Sequence, residues 1–237
     1  MADNEAKDAV GFFSENAQHF HDLYRGQPEF HERLELWGRL IDRYAPRGGF
    51  ALDLGCGPGI FSFMLARHCE RVIGVDGAPE MVAKCEQQRV ERGVANVSFR
   101  QGLLPDVDEA ALQGADMLIS SSVIEYVPDL SATLALFGRL LKPGGLLILS
   151  MPNVFSLSRL QQRVKYRLTG EPAVYAHIKH FSSPGGLSRR LRPYGFELLE
   201  KHYYTHFTRI AKTLHAVRAP RRLSEDLFVV VLRKNSH

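Results

Sequence analysis

A glycine-rich segment follows the first strongly apolar run of the chain. It reads Leu-Asp-Leu-Gly-Cys-Gly-Pro-Gly and places Gly55, Gly57 and Gly59 between a predicted buried strand and a predicted helix. Glycine has no Cβ, so a ligand is able to lie directly against the backbone of such a turn. Asp53, which precedes the turn, is suited either to accept a hydrogen bond from a cationic amine or to hold the loop in shape.

A second carboxylate, Asp76, ends the next predicted strand. An acidic side chain at that place is suited to bind both hydroxyls of a ribose. Ile60 occupies the position of the third glycine in a dinucleotide fingerprint, which weighs against a nicotinamide-dependent oxidoreductase of the same fold. These residues therefore indicate a nucleoside site. The structural alternatives are a tight strand-to-helix turn for the glycines and a helix cap before Pro79 for Asp76.

The pattern of apolar residues predicts the elements that position these side chains. Short apolar runs alternate with segments of helical period from Gly49 onward, which is typical of a parallel sheet with crossover helices. Strands are predicted at residues 50–54, 71–76, 97–101, 115–120, 145–151, 196–204 and 227–232. Helices are predicted at residues 58–68, 79–93, 108–113, 129–141, 153–170 and 182–191. Residues 1–48 read as helical and polar, and residues 207–222 as a basic connection.

The composition indicates a single globular domain. The 237 residues include 45% hydrophobic and 24% charged side chains, which is ordinary for one large α/β domain. No apolar run approaches the roughly 20 residues needed to cross a bilayer, and the acidic N-terminal segment does not resemble a signal peptide. Cys56, Cys69 and Cys85 lack Cys-x-x-Cys spacing, so we expect reduced thiols, a cytoplasmic protein and no metal finger.

Positive charge is concentrated in the last third of the chain. Residues 151–237 carry 16 lysines and arginines against 5 aspartates and glutamates, whereas residues 1–150 carry 14 against 21. An acidic small molecule, a membrane surface and a nucleic acid are each partners that such a surface would suit.

Four segments together resemble the class I S-adenosylmethionine-dependent methyltransferases. In chain order they read LDLGCGPG, VIGVDGAPEMVAKC, ADMLISSSVIEYVPD and FGRLLKPGGLLILSMPN, and the resemblance extends from about Phe12 to Leu232. It implies an α/β, Rossmann-like sheet of seven mostly parallel strands in the order 3-2-1-4-5-7-6, with the last strand antiparallel and helices on both faces. It also implies S-adenosylmethionine as methyl donor, S-adenosylhomocysteine as product, and a donor site across the carboxyl ends of strands one to four.

The resemblance assigns roles to individual positions. The glycine loop would contact the methionine part of the donor, Asp76 the ribose, and the segment around Met81 the adenine. Arg33 lies where ubiquinone-biosynthesis-type O-methyltransferases have an arginine that pairs with the donor carboxylate. The implied donor-binding residues are Arg33, Asp53, Gly55, Gly57, Gly59, Asp76, Gly77, Met81, Gln101, Gly102, Leu103 and Ser120.

The acceptor side departs from that pattern. Glu125-Tyr126 stands where the ubiquinone enzymes have Glu-His, so Tyr126 joins the candidate catalytic residues. His177 and His180 resemble a His-x-Arg/Lys-x-Phe-Ser/Thr element of small-molecule methyltransferases and are candidates for a general base, with Lys179 as a partner for an anionic acceptor. Histidines at the surface that cap a helix are the structural alternative. No third ligand accompanies this pair, so no metal site is predicted.

We therefore expect one methyltransferase domain over residues 1–237, with a helical lid at 1–48 and an acceptor-side insertion at 152–182. The predicted reaction transfers a methyl group to oxygen, less readily to nitrogen, of a small or lipid-like acceptor that is anionic or aromatic. Aromatic side chains suited to line its pocket are Phe20, Tyr24, Phe155, Tyr166 and Tyr175.

Two features leave alternatives open. The basic segment 153–168 is interpreted either as a substrate lid or as a membrane-surface contact, which would make the cytoplasmic protein peripheral at a membrane. The basic last third also permits an RNA methyltransferase, although no separate RNA-binding module is visible and nucleic acid is not the preferred partner. A donor-binding module without catalysis is the remaining alternative.

Overall fold

The computed structural model describes residues 10–15, 31–204 and 209–236. Seven strands form one sheet in the order β3-β2-β1-β4-β5-β7-β6. Neighbouring strands are parallel from β3 through β5, whereas β7 runs antiparallel to both β5 and β6. The strands are β1 (Phe50–Leu54), β2 (Arg71–Asp76), β3 (Val97–Gln101), β4 (Ala115–Ser121), β5 (Leu141–Pro152), β6 (Phe196–Tyr204) and β7 (Leu227–Lys234). The predicted fold class and strand order are confirmed.

Helices connect and cover the strands. Asp129 caps one of them by accepting a hydrogen bond from the amide of Ala132, as expected for an aspartate before a helix. The described helices are α1 (10–15), α2 (His31–Tyr44), α3 (Ile60–Leu65), α4 (Pro79–Glu91), α5 (Glu109–Leu112), α6 (Leu130–Leu140), α7 (Leu157–Thr169), α8 (Pro184–Leu191), α9 (Arg209–Ala216) and α10 (Arg221–Ser224).

The core lies in two apolar layers, one on each face of the sheet. Leu52 and Leu118 belong to the layer that includes Phe137 of α6, whereas Ile119 belongs to the layer that includes Trp37 of α2. Successive strand residues alternate between the layers because their side chains point to opposite faces. This explains the continuous apolar runs of the central strands, since a strand buried on both faces has no solvent side.

The structure refines several predicted bounds. Residues 153–156 form a turn before α7, and Ser156 caps that helix by accepting a hydrogen bond from the amide of Arg159. The basic connection at 207–222 contains α9 and α10. Of the proposed lid at 1–48, Phe20 and Tyr24 lie outside the described residues.

The turn before α7 is tied to the segment that enters β7. The buried side-chain amide of Asn153 donates hydrogen bonds to the carbonyl oxygens of Arg222 (2.8 Å) and Glu225 (2.9 Å). The Ser156 hydroxyl donates to a carboxylate oxygen of Asp226 at 2.7 Å. These contacts fix the start of α7 at the carboxyl end of β5, on the same side of the sheet as the glycine loop.

Candidate functional site

A cavity of about 350 Å³ lies at the carboxyl ends of the central parallel strands. The connections from β1 and β4 leave in opposite directions at this point, and such a switch point is where open α/β sheets bind ligands. Its walls come from α1, α2, the loops after β1 to β4, α7 and the start of β7. The lining includes Phe13, Arg33, Gly55, Gly57, Phe61, Asp76, Gly77, Met81, Gly102, Leu103, Ser121, Ser122, Glu125, Tyr126, Arg159, Val174, Ile178 and Leu227.

The glycine loop requires glycine for two separate reasons. Gly55, Gly57 and Gly59 have φ angles of 77°, 51° and 75°, in the left-handed region that L side chains rarely adopt. A Cβ on Gly55 would also lie 2.1 Å from Cγ2 of Val123. The amides of Gly55 and Cys56 both donate to the carbonyl oxygen of Val75, at 2.7 and 3.0 Å. The loop is therefore held against β2 while its backbone faces the cavity.

The Asp76 carboxylate joins the glycine loop to the loop after β2. One carboxylate oxygen accepts a hydrogen bond from the amide of Gly57 at 2.7 Å, and the other accepts from the amide of Ala78 at 2.9 Å. Burial raises the pKa of Asp76, while the backbone amides that donate to the ionised form oppose that rise. A carboxylate has about four acceptor positions, so Asp76 keeps acceptor capacity for a hydroxyl of a ligand in the cavity.

Most residues predicted to bind the donor line this cavity, and four do not. The residues of this set in the lining are Arg33, Gly55, Gly57, Asp76, Gly77, Met81, Gly102 and Leu103, and we refer to their part of the cavity as the predicted donor end. Asp53, Gly59, Gln101 and Ser120 lie outside the lining set.

Three of these four residues have a local reason for lying outside the cavity lining. The buried Asp53 carboxylate accepts a hydrogen bond from the Ser62 hydroxyl at 2.6 Å, and burial raises the pKa of Asp53 to about 7. Ser120 donates to the carbonyl oxygen of Leu54 at 2.8 Å, and the next two serines face the cavity instead. Gln101 is exposed at the end of β3. Asp53 thus holds α3 against β1, in agreement with its predicted alternative role in shaping the loop.

Arg33 brings a positive charge to the cavity wall from α2. The side chain is buried, and Nη2 donates to the carbonyl oxygen of Ser121 at 3.2 Å and to its hydroxyl at 2.7 Å. The guanidinium lies over the Phe61 ring, 5.8 Å from its centroid. This position suits a cation that pairs with the carboxylate of a bound ligand, as the resemblance implied.

The other end of the cavity contains Tyr126 and Glu125. Tyr126 packs edge to face with Phe13 at 5.0 Å between ring centroids, and burial raises the pKa of its hydroxyl well above the usual value. At neutral pH the phenol stays protonated and is therefore a hydrogen-bond donor rather than a base. Glu125 is only 1% exposed, and burial raises its pKa to about 7. Sequence reasoning did not select Glu125, although an acid after the buried fourth strand was the available signal.

His177 and His180 are not among the residues that line the cavity. A ring nitrogen of His180 lies 2.9 Å from the carbonyl oxygen of Val127, and burial lowers the pKa of this histidine. The His177 ring lies 5.0 Å from the ring of Phe12. The backbone amides of Lys179 and His180 donate to the carbonyl oxygen of Glu125, at 2.8 and 3.1 Å. The histidine segment thus braces the loop that carries Glu125, and a catalytic role for the imidazoles stays a prediction.

Arg159 of α7 supplies a second cation that sequence reasoning did not select. Its guanidinium lines the cavity, with Nη1 donating to the Tyr175 hydroxyl at 3.1 Å and Nε to the Asp226 carbonyl oxygen at 3.4 Å. The Tyr175 hydroxyl in turn donates to Gln162 at 2.6 Å. Within the described ranges, no three His, Cys, Asp or Glu side chains are grouped so as to hold a metal ion.

Comparison with known sequences identifies relatives of this chain. A family model described as a methyltransferase domain matches residues 47–211. The chain is 34% identical over 160 residues to a ubiquinone biosynthesis O-methyltransferase of Xanthomonas axonopodis pv. citri, and the match covers 66% of each protein. It is 31% identical to the protein of the same name from Hahella chejuensis, with 78% of this chain and 80% of the relative covered. The chain thus spans slightly less than two thirds of the Xanthomonas relative's length.

Solved structures share the fold at low sequence identity. The magnesium protoporphyrin IX methyltransferase of Synechocystis PCC 6803, solved with S-adenosylhomocysteine, has a TM-score of 0.68 at 18% identity over 94% of this chain and 96% of that one. The N-methyltransferase NodS of Bradyrhizobium japonicum, also with S-adenosylhomocysteine, has a TM-score of 0.60 at 18% identity and covers 89% and 90%.

Asp76→Asn tests the donor end of the cavity. The amide would replace one carboxylate oxygen with a group that cannot accept the backbone hydrogen bond, and it would remove the charge that faces the ribose. Hydrogen bonds to charged groups contribute about 1.5–3 kcal/mol each, so we expect the affinity for S-adenosylhomocysteine, measured by isothermal titration calorimetry, to fall at least about tenfold.

Asp42→Asn is the matched control, because the Asp42 side chain is 72% exposed on α2. It should bind S-adenosylhomocysteine like the unchanged protein. Equal affinity in Asp76→Asn and Asp42→Asn would remove Asp76 from the donor site.

Proposed function

Because this chain belongs to the S-adenosylmethionine-dependent methyltransferases, we propose that it transfers the donor's methyl group to an oxygen atom of a small or lipid-like acceptor. The observation that carries this proposal is the continuity of the cavity. Its donor end contains the glycine loop and Asp76, and its other end contains Glu125, Tyr126 and Arg159 among apolar walls. A donor bound along the first set of residues would direct its methyl group toward the second.

The chemistry of methyl transfer fits such an arrangement. The reaction is an in-line displacement at carbon, so the protein mainly aligns an acceptor atom with the methyl group and excludes water. An oxygen acceptor must also lose a proton, which calls for a base close to the reacting atom. The volume of about 350 Å³ lies at the lower end of the range for small-molecule pockets, which favours a small acceptor over RNA.

The polar groups of the acceptor end favour an anionic or aromatic molecule. Arg159 places positive charge in the wall of this end, and the apolar residues Val174, Ile178 and Leu227 also line the cavity. A guanidinium pairs well with a carboxylate or a phenolate. The names of the relatives support oxygen as the accepting atom, since those proteins are ubiquinone biosynthesis O-methyltransferases.

The nature of the accepting atom is tested by a panel of matched acceptors. Hexylcatechol, hexylaniline, hexylbenzoate and a mixed RNA transcript pool are each incubated with the protein and S-adenosylmethionine, and S-adenosylhomocysteine release is measured. We expect the hydroxyl acceptor to react at least about tenfold faster than the amine, because only it uses the base and the cation at this end of the cavity.

Asp76→Asn serves as the control for donor dependence in this assay, because it lowers the affinity for the donor and leaves the acceptor end of the cavity unchanged. Faster methylation of the aniline or of RNA would contradict transfer to oxygen of a small molecule. Donor binding without reaction of any panel member would favour a donor-binding module.

A second part of the proposal concerns the outer face of α7. Large apolar side chains form an exposed stripe on this face. The inner part of the helix contributes the buried Ser158 and the cavity residue Arg159. The exposed fractions in this apolar stripe are 41% for Leu157, 52% for Leu160, 49% for Val164 and 80% for Leu168. Arg163, Lys165 and Arg167 lie among them. An amphipathic helix of this kind is suited to lie at the surface of an anionic membrane.

The apolar stripe continues into the turn that precedes the helix, where Val154 and Phe155 are 41% and 53% exposed. None of the helices in the described ranges has the length and apolar character needed to span a bilayer. We therefore place any lipid contact at the surface, with residues 153–168 as an insertion that serves both the acceptor cavity and the membrane.

Removal of the apolar stripe tests the membrane contact. The double variant Leu160→Gln and Leu168→Gln should lower the affinity for vesicles of phosphatidylcholine and phosphatidylglycerol, measured by co-sedimentation, by at least about 100-fold, since it withdraws two apolar side chains of about 1.5–3 kcal/mol each from a lipid interface. Val90→Gln is the control, because Val90 is 68% exposed on a different helix.

Equal loss of vesicle binding in Val90→Gln would point to general surface hydrophobicity. Unchanged vesicle binding in the double variant would favour the interpretation of residues 153–170 as a substrate lid.

A further inference from the structure

Glu125 occupies a fixed position in the loop after β4. Its carbonyl oxygen accepts hydrogen bonds from the amides of Lys179 and His180, so the loop is held from a segment more than fifty residues further along the chain. The amide of Tyr126 donates to the carbonyl oxygen of Val123 and closes a turn within the loop. The backbone of Glu125 is therefore braced on both sides, and its side chain lies in the wall of the cavity.

One oxygen of the Glu125 carboxyl group has no hydrogen-bond partner among the described residues. Its Oε2 atom is buried and accepts no hydrogen bond from any group in the described ranges. A buried carboxylate without a hydrogen bond is costly, and proteins retain such groups mainly at functional sites. By contrast, the buried Asp53 receives a hydrogen bond from Ser62 and Asp76 receives two from backbone amides. Glu125 differs from both because its buried Oε2 atom, in the wall of the cavity, receives no hydrogen bond from a residue that the structure describes.

The charges around Glu125 come from three elements. Arg33 faces it from α2 and Arg159 from α7, and both stabilise its ionised form, while the neutral Tyr126 hydroxyl lies beside it in the same loop. Burial outweighs the two cations, so the pKa of Glu125 rises to about 7. A carboxyl group with this pKa is ionised in part at neutral pH and is able to take up a proton there.

We propose that Glu125 is the general base of the reaction and that the acceptor is a weakly acidic, neutral hydroxyl group such as a phenol. This inference rests on the proposed transfer to oxygen and names the residue that takes the proton. The geometry points to it because Glu125 is a buried carboxyl group in the wall of the acceptor end and its Oε2 atom has no hydrogen-bond donor, in the described part of the chain, with which a ligand's O–H would compete. Tyr126, which stays protonated, and the braced histidine segment would position this loop.

The proton, charge and electron pairs balance in this step. A lone pair of the acceptor oxygen attacks the methyl carbon as its hydrogen passes to a carboxylate oxygen of Glu125. The carbon–sulfur bond breaks, and its electron pair stays on sulfur, which turns the sulfonium into a neutral thioether. Arg159 stabilises the negative charge that develops on oxygen. Glu125 then returns the proton to water after the methylated product leaves.

Proton uptake on binding of 4-nitrophenol tests this assignment without turnover. At pH 8 the free probe is ionised and Glu125 is mostly ionised, and two negative charges cannot both be held side by side in a buried site. Binding to the protein–S-adenosylhomocysteine complex should therefore take up about one proton. Calorimetry in two buffers of different ionisation enthalpy measures this number. Glu125→Gln should bind the probe without proton uptake, and Glu70→Gln, changed at an exposed residue, should match the original protein.

Turnover of the hydroxyl acceptor identified by the panel provides the second measurement. Glu125→Gln should lower kcat by about 100-fold with unchanged affinity for S-adenosylhomocysteine. Proton uptake that persists in Glu125→Gln, or a kcat within threefold of the original, would overturn the assignment of Glu125. Failure of the original complex to bind the probe would overturn the hydroxyl acceptor. Preferential methylation of the amine in the panel would instead overturn the proposed function.

Thermal unfolding separates this role from a structural one. The folded pKa of about 7 lies above the ordinary glutamate pKa of 4.5 in the unfolded chain, so the ionised carboxyl lowers stability as pH rises between these values. Glu125→Gln should therefore raise the unfolding temperature at pH 8 and change it much less at pH 5. A lower unfolding temperature at both pH values would show that Glu125 stabilises the fold, and would contradict its role as the base.

Discussion

The site depends on one half-buried carboxylate, that of Asp76, which holds two loops together. It accepts hydrogen bonds from the amide of Gly57 on the loop after β1 and from the amide of Ala78 on the loop after β2. Neither loop contains enough apolar side chains to define its own shape, and the three glycine φ angles require an external constraint. Because the carboxylate is ionised to bind these amides, the same charge is available to the hydroxyls of a nucleoside.

The acceptor end is assembled from parts of the chain that are distant in sequence. Glu125 and Tyr126 follow β4, and Arg159 comes from α7. The backbone amides of residues 179 and 180, which hold the Glu125 loop, lie later in the chain. Asn153 and Ser156 anchor the start of α7 to the segment before β7, which fixes where Arg159 enters the cavity. The same helix exposes its apolar stripe on the opposite side. The outer face of α7 and the Arg159 guanidinium in the cavity wall therefore belong to one helix.

Local patterns predicted the glycine turn and the acid after β2 that line the cavity, because these features reside in backbone conformation and in one residue at the end of a strand. The glycine spacing and the position of Asp76 required no knowledge of distant residues. The strand order came from a family resemblance rather than from periodicity. Ser120 was assigned to the site, but the side-chain alternation of β4 directs it to the Leu54 carbonyl oxygen and leaves Ser121 at the cavity.

The acceptor end could not be predicted in the same way. Histidine is the usual base near neutral pH, which is why the sequence predicts His177 and His180 as candidates. Sequence spacing does not show that His180 is directed at the Val127 carbonyl oxygen. Glu125 combines a place in the cavity wall with a buried Oε2 atom that receives no hydrogen bond from the described ranges, and both properties depend on elements packed around it after folding. The sequence does not distinguish Arg159 from the other basic residues of α7. Its place in the cavity wall depends on how the helix is oriented from its cap at Ser156.

The most direct test of this account is a crystal structure of the protein with S-adenosylhomocysteine. The account predicts that the ribose hydroxyls contact the Asp76 carboxylate, that the amino-acid carboxylate lies near Arg33, and that the sulfur faces the end of the cavity that contains Glu125. A ligand bound elsewhere, or one in this cavity with its sulfur directed away from Glu125, would contradict it.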